Sequence, residues 1–261
     1  MKLTPSTPRI TCSGINRGAL IQETFAAFRS WDFCSSKQAN FNRIRETNTI
    51  NAPSANGLKA VLKDLSIRFN PEGVDKPLVL LAQRELSLDL WRPELLWHLA
   101  HSEYLVMDFL ANWLYPRIHD GHVQFTPAEV SAGYRWLLEP NKLVKKPWSE
   151  TTLQGLSSGL LRMVAAFGLL EGKTIKRAAP FHLAEPCFLY VLHAIQERGV
   201  SSNKIVEAED WRIFLLSPQD VHQELLRLHQ YRKVDYQTAG SLVELRLPAP
   251  DLLTYAEGWP L

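Results

Sequence analysis

Trp148-Ser149-Glu150-Thr151-Thr152-Leu153-Gln154-Gly155-Leu156-Ser157-Ser158-Gly159-Leu160-Leu161-Arg162-Met163-Val164-Ala165-Ala166-Phe167-Gly168 reads as one capped amphipathic helix. Ser149 offers a side-chain oxygen to the first free amides, and Trp148 and Leu153 are spaced for a hydrophobic staple. Leu153, Leu156, Leu160, Val164 and Phe167 recur every three or four residues and predict a single buried stripe. Gly168, without a Cβ, suits the left-handed turn that closes such a helix. Thr151, Gln154, Ser158 and Arg162 form the opposite, polar stripe. The stretch also spells G-x-S-x-G at Gly155–Gly159, the nucleophile elbow of many hydrolases. That elbow needs a strand, a sharp turn and then a helix. Here it lies within a helix and no strand precedes it, so the glycines read as places of close helix packing.

Outward from this stretch the helical signals continue. Thr126-Pro127-Ala128-Glu129 and Ser217-Pro218-Gln219-Asp220 are capping boxes with proline at the first helical position, and Ser54 caps another helix. Leu58, Val61, Leu62, Leu65 and Phe69 share one stripe, and Leu20, Phe25, Phe28 and Trp31 mark an N-terminal helix. Residues 77–88, 93–115, 187–198 and 218–230 read as further helices. Strand signals are few: residues 231–236 and 242–247 predict a hairpin joined by the longer loop 237–241, and short strands fit 122–125 and 173–177. Strands and helices do not alternate, which argues against a parallel α/β sheet. The expected fold is mainly α, with helix-turn-helix or winged-helix-like modules and a small C-terminal β-hairpin. The expected blocks are a helix-turn-helix-like module at 1–70, a central helical region at 71–125, a winged-helix-like module at 126–180, and C-terminal helices with the hairpin at 181–261.

Composition narrows the class. With 261 residues, 46% hydrophobic and 21% charged, the chain has enough apolar mass to offset chain entropy, unlike a disordered tail. Three cysteines exclude a disulfide-stapled scaffold. No uncharged apolar run approaches the roughly 18–20 residues that a bilayer needs, so no membrane insertion is expected. Met1-Lys2-Leu3-Thr4-Pro5 lacks the apolar core of a signal peptide. The expectation is a cytoplasmic protein with reduced thiols.

The net charge of +2 hides an uneven distribution. Residues 1–70 carry 10 Lys and Arg against 4 Asp and Glu, and residues 140–180 carry 7 against 2. Residues 71–139 carry 5 against 10, and residues 181–261 carry 7 against 11. Two basic blocks thus alternate with two acidic ones. In the first, a helix over 36–48 with Lys37, Arg43 and Arg45 precedes the helix from Ser54, where Asn56, Lys59 and Lys63 share the solvent face. In the second, a loop with Lys142, Lys145 and Lys146 leads into the helix of Thr151, Gln154 and Arg162. Lys173, Lys176 and Arg177 then sit on a short hairpin. Helix, turn, helix, basic wing is the order of a winged helix-turn-helix, and such cations neutralise phosphates while Asn and Gln bond base edges. Solvated faces of ordinary amphipathic helices give the same pattern.

Catalytic signatures are weak. His98, His101, Glu94, His119 and His122 offer ligand types, but their tryptophan-rich surroundings favour structural histidines over zinc. Cys12, Cys34 and Cys187 show no C-x-x-C spacing, and the phosphate-cradling glycine loops are missing. No cofactor and no enzymatic activity are expected.

Three stretches together carry a resemblance: Gly18–Thr24, the helix that opens at Pro53-Ser54-Ala55 and runs to Arg68, and Trp148–Glu171, with Asp108-Phe109 in a central helix between them. The pattern resembles the BrxA family of bacterial bacteriophage-exclusion (BREX) phage-defence systems over roughly residues 15–215. The resemblance implies a non-catalytic helical accessory component that binds double-stranded DNA and works with other BREX components. An older comparison, to the RNA-binding antitermination factors of the NusB type, keeps RNA as an alternative. A protein-interaction scaffold, docking through the acidic blocks, is a third.

Overall fold

The computed structural model describes Ile10 and residues 13–84, 86–141, 143–144, 146–240 and 242–259. Lys142, Lys145, Cys12 and the chain start lie outside the described residues. The elements in chain order are α1 (Ser13–Arg17), α2 (Ile21–Arg29), α3 (Lys37–Thr47), α4 (Ala55–Arg68), α5 (Lys76–Gln83), α6 (Leu88–Ser102), α7 (Tyr104–Asp108), a π-helical segment (Phe109–Leu114), α8 (Tyr115–His119), α9 (Pro127–Gly133) and a 3₁₀ turn (Arg135–Leu138). Then come α10 (Glu150–Ala166), the strands β1 (Leu170–Glu171) and β2 (Arg177–Ala178), and α11 (Glu185–Glu197). The 3₁₀ segments Ser202–Glu207 and Glu209–Phe214 follow, then α12 (Pro218–Gln230), β3 (Asp235–Ala239), β4 (Leu242–Arg246) and α13 (Leu252–Glu257). The protein is mainly α, with two small antiparallel hairpins among the described residues. No helix among them is long and apolar enough to cross a membrane.

The caps act as their spacing predicts. Ser149 accepts from the Thr152 N–H at 3.1 Å, and Ser54 from the Gly57 N–H at 3.1 Å. Thr126 with Glu129 and Ser217 with Asp220 complete their capping boxes. The α10 helix closes where Gly168 takes φ +84°.

Three elements differ from expectation. The helix expected over 93–115 begins at Leu88 instead, and Pro93 lies inside it. A proline removes one backbone donor, which this helix tolerates. The chain then breaks at Glu103, and residues 109–114 widen into a π turn. Phe109, Leu110, Ala111, Trp113 and Leu114 are all buried there, so no periodicity survives in the sequence to mark the insertion. The C-terminal hairpin starts at Asp235, after a turn over 231–234, and only two residues join its paired ends Ala239 and Leu242. In place of strands at 122–125 and 173–177, Phe125 alone bridges Lys176, residues 173–175 form the bend, and β1 pairs with β2.

The chain divides into two compact units, each drawn from two stretches: Met1–Leu20 with Ala100–Phe181, and Ile21–Leu99 with His182–Leu261. In the first, α10 packs on α1 and α9. A Cβ on Gly159 would meet the Ile15 carbonyl oxygen at 3.1 Å, so glycine is what admits α1. Trp113 stacks on Phe109 with ring centroids 5.1 Å apart. In the second unit α5 lies against α2 and α13. Its core includes Trp91 edge-on to Phe25 at 5.0 Å, and Phe188 stacked on Trp211 at 4.5 Å.

Candidate nucleic-acid interface

In the first unit one isolated backbone bridge extends the β1–β2 hairpin. The Phe125 N–H donates to the Lys176 carbonyl at 2.8 Å, and the Lys176 N–H donates back at 2.9 Å. Leu170 pairs with Ala178, and Glu171 with Arg177. The second strand therefore has Phe125 on one side and β1 on the other. By alternation, Phe125, Lys176 and Leu170 face inward and are buried, while Glu171, Ile175 and Arg177 face outward and are exposed. Gly172, at φ +99°, makes the turn, and the Lys176 ammonium donates to its carbonyl. Lys173 stands exposed at the tip.

Helix α10 lies between this hairpin and α9 in the chain. Thr151, Gln154 and Arg162 are exposed and Ser158 half-buried, so the polar stripe faces solvent as its spacing predicts. Arg162 donates to the Asn16 carbonyl at 3.3 Å. Glu150 is paired with Arg135 at 3.2 Å, which offsets the acid at the helix start. Lys146 is exposed ahead of the cap, and Lys145 lies outside the described residues. Among the described residues, Lys146, Lys173 and Arg177 have no ion pair.

The inner face of α10 is held by neutral polar contacts. Ser157 is buried; its hydroxyl donates to the Leu153 carbonyl at 2.8 Å and lies 2.8 Å from the Ser131 hydroxyl. The G-x-S-x-G stretch is thus mid-helix, with its serine oxygen facing α9. Tyr134 donates to Asp108 at 2.8 Å, and burial, with the Asp108 charge, pushes its pKa up, so the donor proton stays.

The second unit carries the other basic set on α3 and α4. Asn56, Lys59 and Lys63 are exposed along one stripe of α4. The cations of α3 are engaged locally. The Lys37 ammonium donates to the Ser66 and Phe69 carbonyls at 2.9 and 2.7 Å, closing the end of α4. Arg43 donates to the Ser30 carbonyl and to Asn40, both at 2.6 Å, and lies 3.9 Å from Asp32. Arg45 is exposed and reaches Asn42 at 3.3 Å.

One polar cluster escapes sequence reasoning. His98 is buried between Asp75, 2.5 Å from its Nδ1, and the Tyr190 hydroxyl, 2.8 Å from its Nε2. Glu94, one turn earlier, is fully buried, and neither carboxyl oxygen has a hydrogen-bond partner. Burial pushes its pKa up to about 8. The partners lie 23 and 92 residues from His98, beyond any local spacing. Among the described residues no group of three or more His, Cys, Asp and Glu is placed to hold a metal ion.

A family model described as BrxA matches residues 13–199 of the chain. No curated protein and no solved structure gives a match.

Proposed function

The chain belongs to the BrxA family, which makes it a component of bacteriophage-exclusion (BREX) defence, and we propose that it acts there as a non-catalytic factor binding double-stranded DNA. The observation that carries this reading is in the first unit. An exposed polar stripe on α10 is flanked in the chain by Lys146 before it and by Lys173 and Arg177 on the hairpin that follows, and none of the three makes an ion pair among the described residues, with Glu171 standing across the hairpin from Arg177. Bridge strand, α9, 3₁₀ turn, α10 and hairpin follow the order of a winged helix-turn-helix, with α10 in the position of the groove-facing helix. Its N-terminal amides and the cations meet phosphates, and these contacts carry most of the affinity. Gln154 and Thr151 are the groups placed to bond base edges.

Asn56, Lys59 and Lys63 on α4 supply a second cationic surface, while Lys37, Arg43 and Lys176 serve the fold through backbone carbonyls. Duplex DNA fits better than unpaired RNA, which is read largely by exposed stacking aromatics. Trp31, Trp91, Trp97, Trp113, Trp211 and Trp259 are all buried.

The test is charge reversal of Lys146, Lys173 and Arg177 together. Losing about three phosphate contacts should weaken duplex binding by roughly 100-fold at low salt. The thermal transition should be unmoved, because all three side chains are exposed. A folded triple variant with wild-type affinity removes this interface.

A further inference from the structure

The second unit contains a cavity that the DNA reading does not use. It measures about 420 Å³ and lies between the start of α11, the turn after α12 and the Pro248–Pro250 segment before α13. Small-molecule sites fall in the range of roughly 300–1,000 Å³. The walls are apolar: Pro186, Leu189, Pro248, Pro250 and Tyr255. The Tyr255 hydroxyl donates to the Pro186 carbonyl at 3.0 Å and its ring stacks on His193 at 4.5 Å, so this wall of the cavity is fixed in place.

The charges at the mouth do not balance. Glu185 meets Arg227 at 2.9 Å and Lys233 at 3.6 Å, and Arg227 also holds Glu224 at 2.6 Å, so these two acids and two cations balance. Arg232 lines this cavity and also an adjoining one of about 390 Å³. In that second cavity His229 faces Asp235 at 3.6 Å, and Arg246 is held by Glu244 at 2.6 Å. Among the described residues Arg232 alone of these cations has no acid partner and no side-chain hydrogen bond. Its backbone takes φ 59°, in a turn tied by its own N–H to the His229 carbonyl at 2.9 Å.

We propose that this cavity binds a small organic acid, with its apolar body against Leu189 and Tyr255 and its anionic group on the Arg232 guanidinium. A guanidinium presents a planar fork of donors that suits a carboxylate, sulfonate or phosphate. The paired Glu185 places no free negative charge against such a ligand. The site does not rest on the DNA reading, and most of its lining lies beyond residue 199, where the family match ends.

The probe is 8-anilinonaphthalene-1-sulfonate, followed by fluorescence with the full chain, with neutral N-phenyl-1-naphthylamine as control. The expected result is saturable one-to-one binding that Arg232→Glu weakens by about tenfold. Ala249→Trp, which fills the cavity, should abolish it, and the neutral analogue should be indifferent to Arg232→Glu. Equal sulfonate affinity in wild type and both variants, with unchanged thermal transitions, overturns the proposal. So does a titration that never saturates. Duplex DNA affinity, measured on the same variants, should not change.

Discussion

Glu94 ties the stability of this fold to pH. Its carboxyl is fully buried without a hydrogen-bond partner, and burial raises its pKa from 4.5 to about 8. A carboxyl whose folded pKa lies above its unfolded value is held protonated by the fold. Its contribution to stability is intact below about pH 4.5 and is lost as pH rises toward 8. Glu94→Gln removes that titration. Denaturant unfolding should therefore show the variant gaining on wild type between pH 5 and pH 8.5, by up to about 5 kcal/mol, and levelling above that. Parallel pH profiles for the two proteins contradict the assignment. His98 matters through the partner it holds. His98→Ala leaves the buried Asp75 carboxylate without its ring partner and should cost about 3–5 kcal/mol by the same measurement. The exposure of Asn56, Lys59, Lys63, Thr151, Gln154 and Arg162 is legible in the sequence, because a helix with one apolar stripe must present its other side to water. What occupies a cation is not legible. Lys37, Arg43 and Lys176 find carbonyls in turns and helix ends, and a carbonyl has no residue type to search for.

Caps and glycines decide the elements of the first unit. Each predicted cap is made by a side chain acting within four residues, which is why these boundaries can be read directly. Thr126→Ala breaks the capping box at the start of α9 and should cost about 1 kcal/mol, seen as a lower melting temperature. Gly172 makes the sharper case. Its φ of +99° is costly for any residue with a Cβ, and a Cβ there would collide with the Ile175 carbonyl. Gly172→Ala should loosen the hairpin tip that carries Lys173, weakening DNA binding several-fold while α10 keeps its helicity by circular dichroism. Unchanged affinity separates the hairpin from the interface. The elements misread are those without a local signal. Pro93 reads as a helix boundary, yet the surrounding packing carries α6 through it. The π segment lies in an apolar run interrupted only by the exposed Asn112, and the C-terminal hairpin begins four residues late because 231–234 alternates in type while turning in space.

At the scale of the molecule, the apolar stripes announce that each element has an inward face without naming its partner. α1 and α10 lie more than a hundred residues apart in the chain, and both compact units are built from two stretches. No spacing rule reaches that far, so the units appear only in three dimensions. The second basic block survives folding better than the first: the cations read from residues 140–180 stay exposed, apart from Lys176, which the hairpin takes, and the two lysines outside the described residues. In the proposed role this surface holds duplex DNA by its phosphates. Fluorescence anisotropy of a labelled duplex, on protein freed of bound nucleic acid and repeated over a salt series, decides the matter. Log affinity should fall linearly with log salt, with a slope equivalent to about 4–8 phosphates. Absence of binding at low salt, or an affinity indifferent to salt, contradicts it.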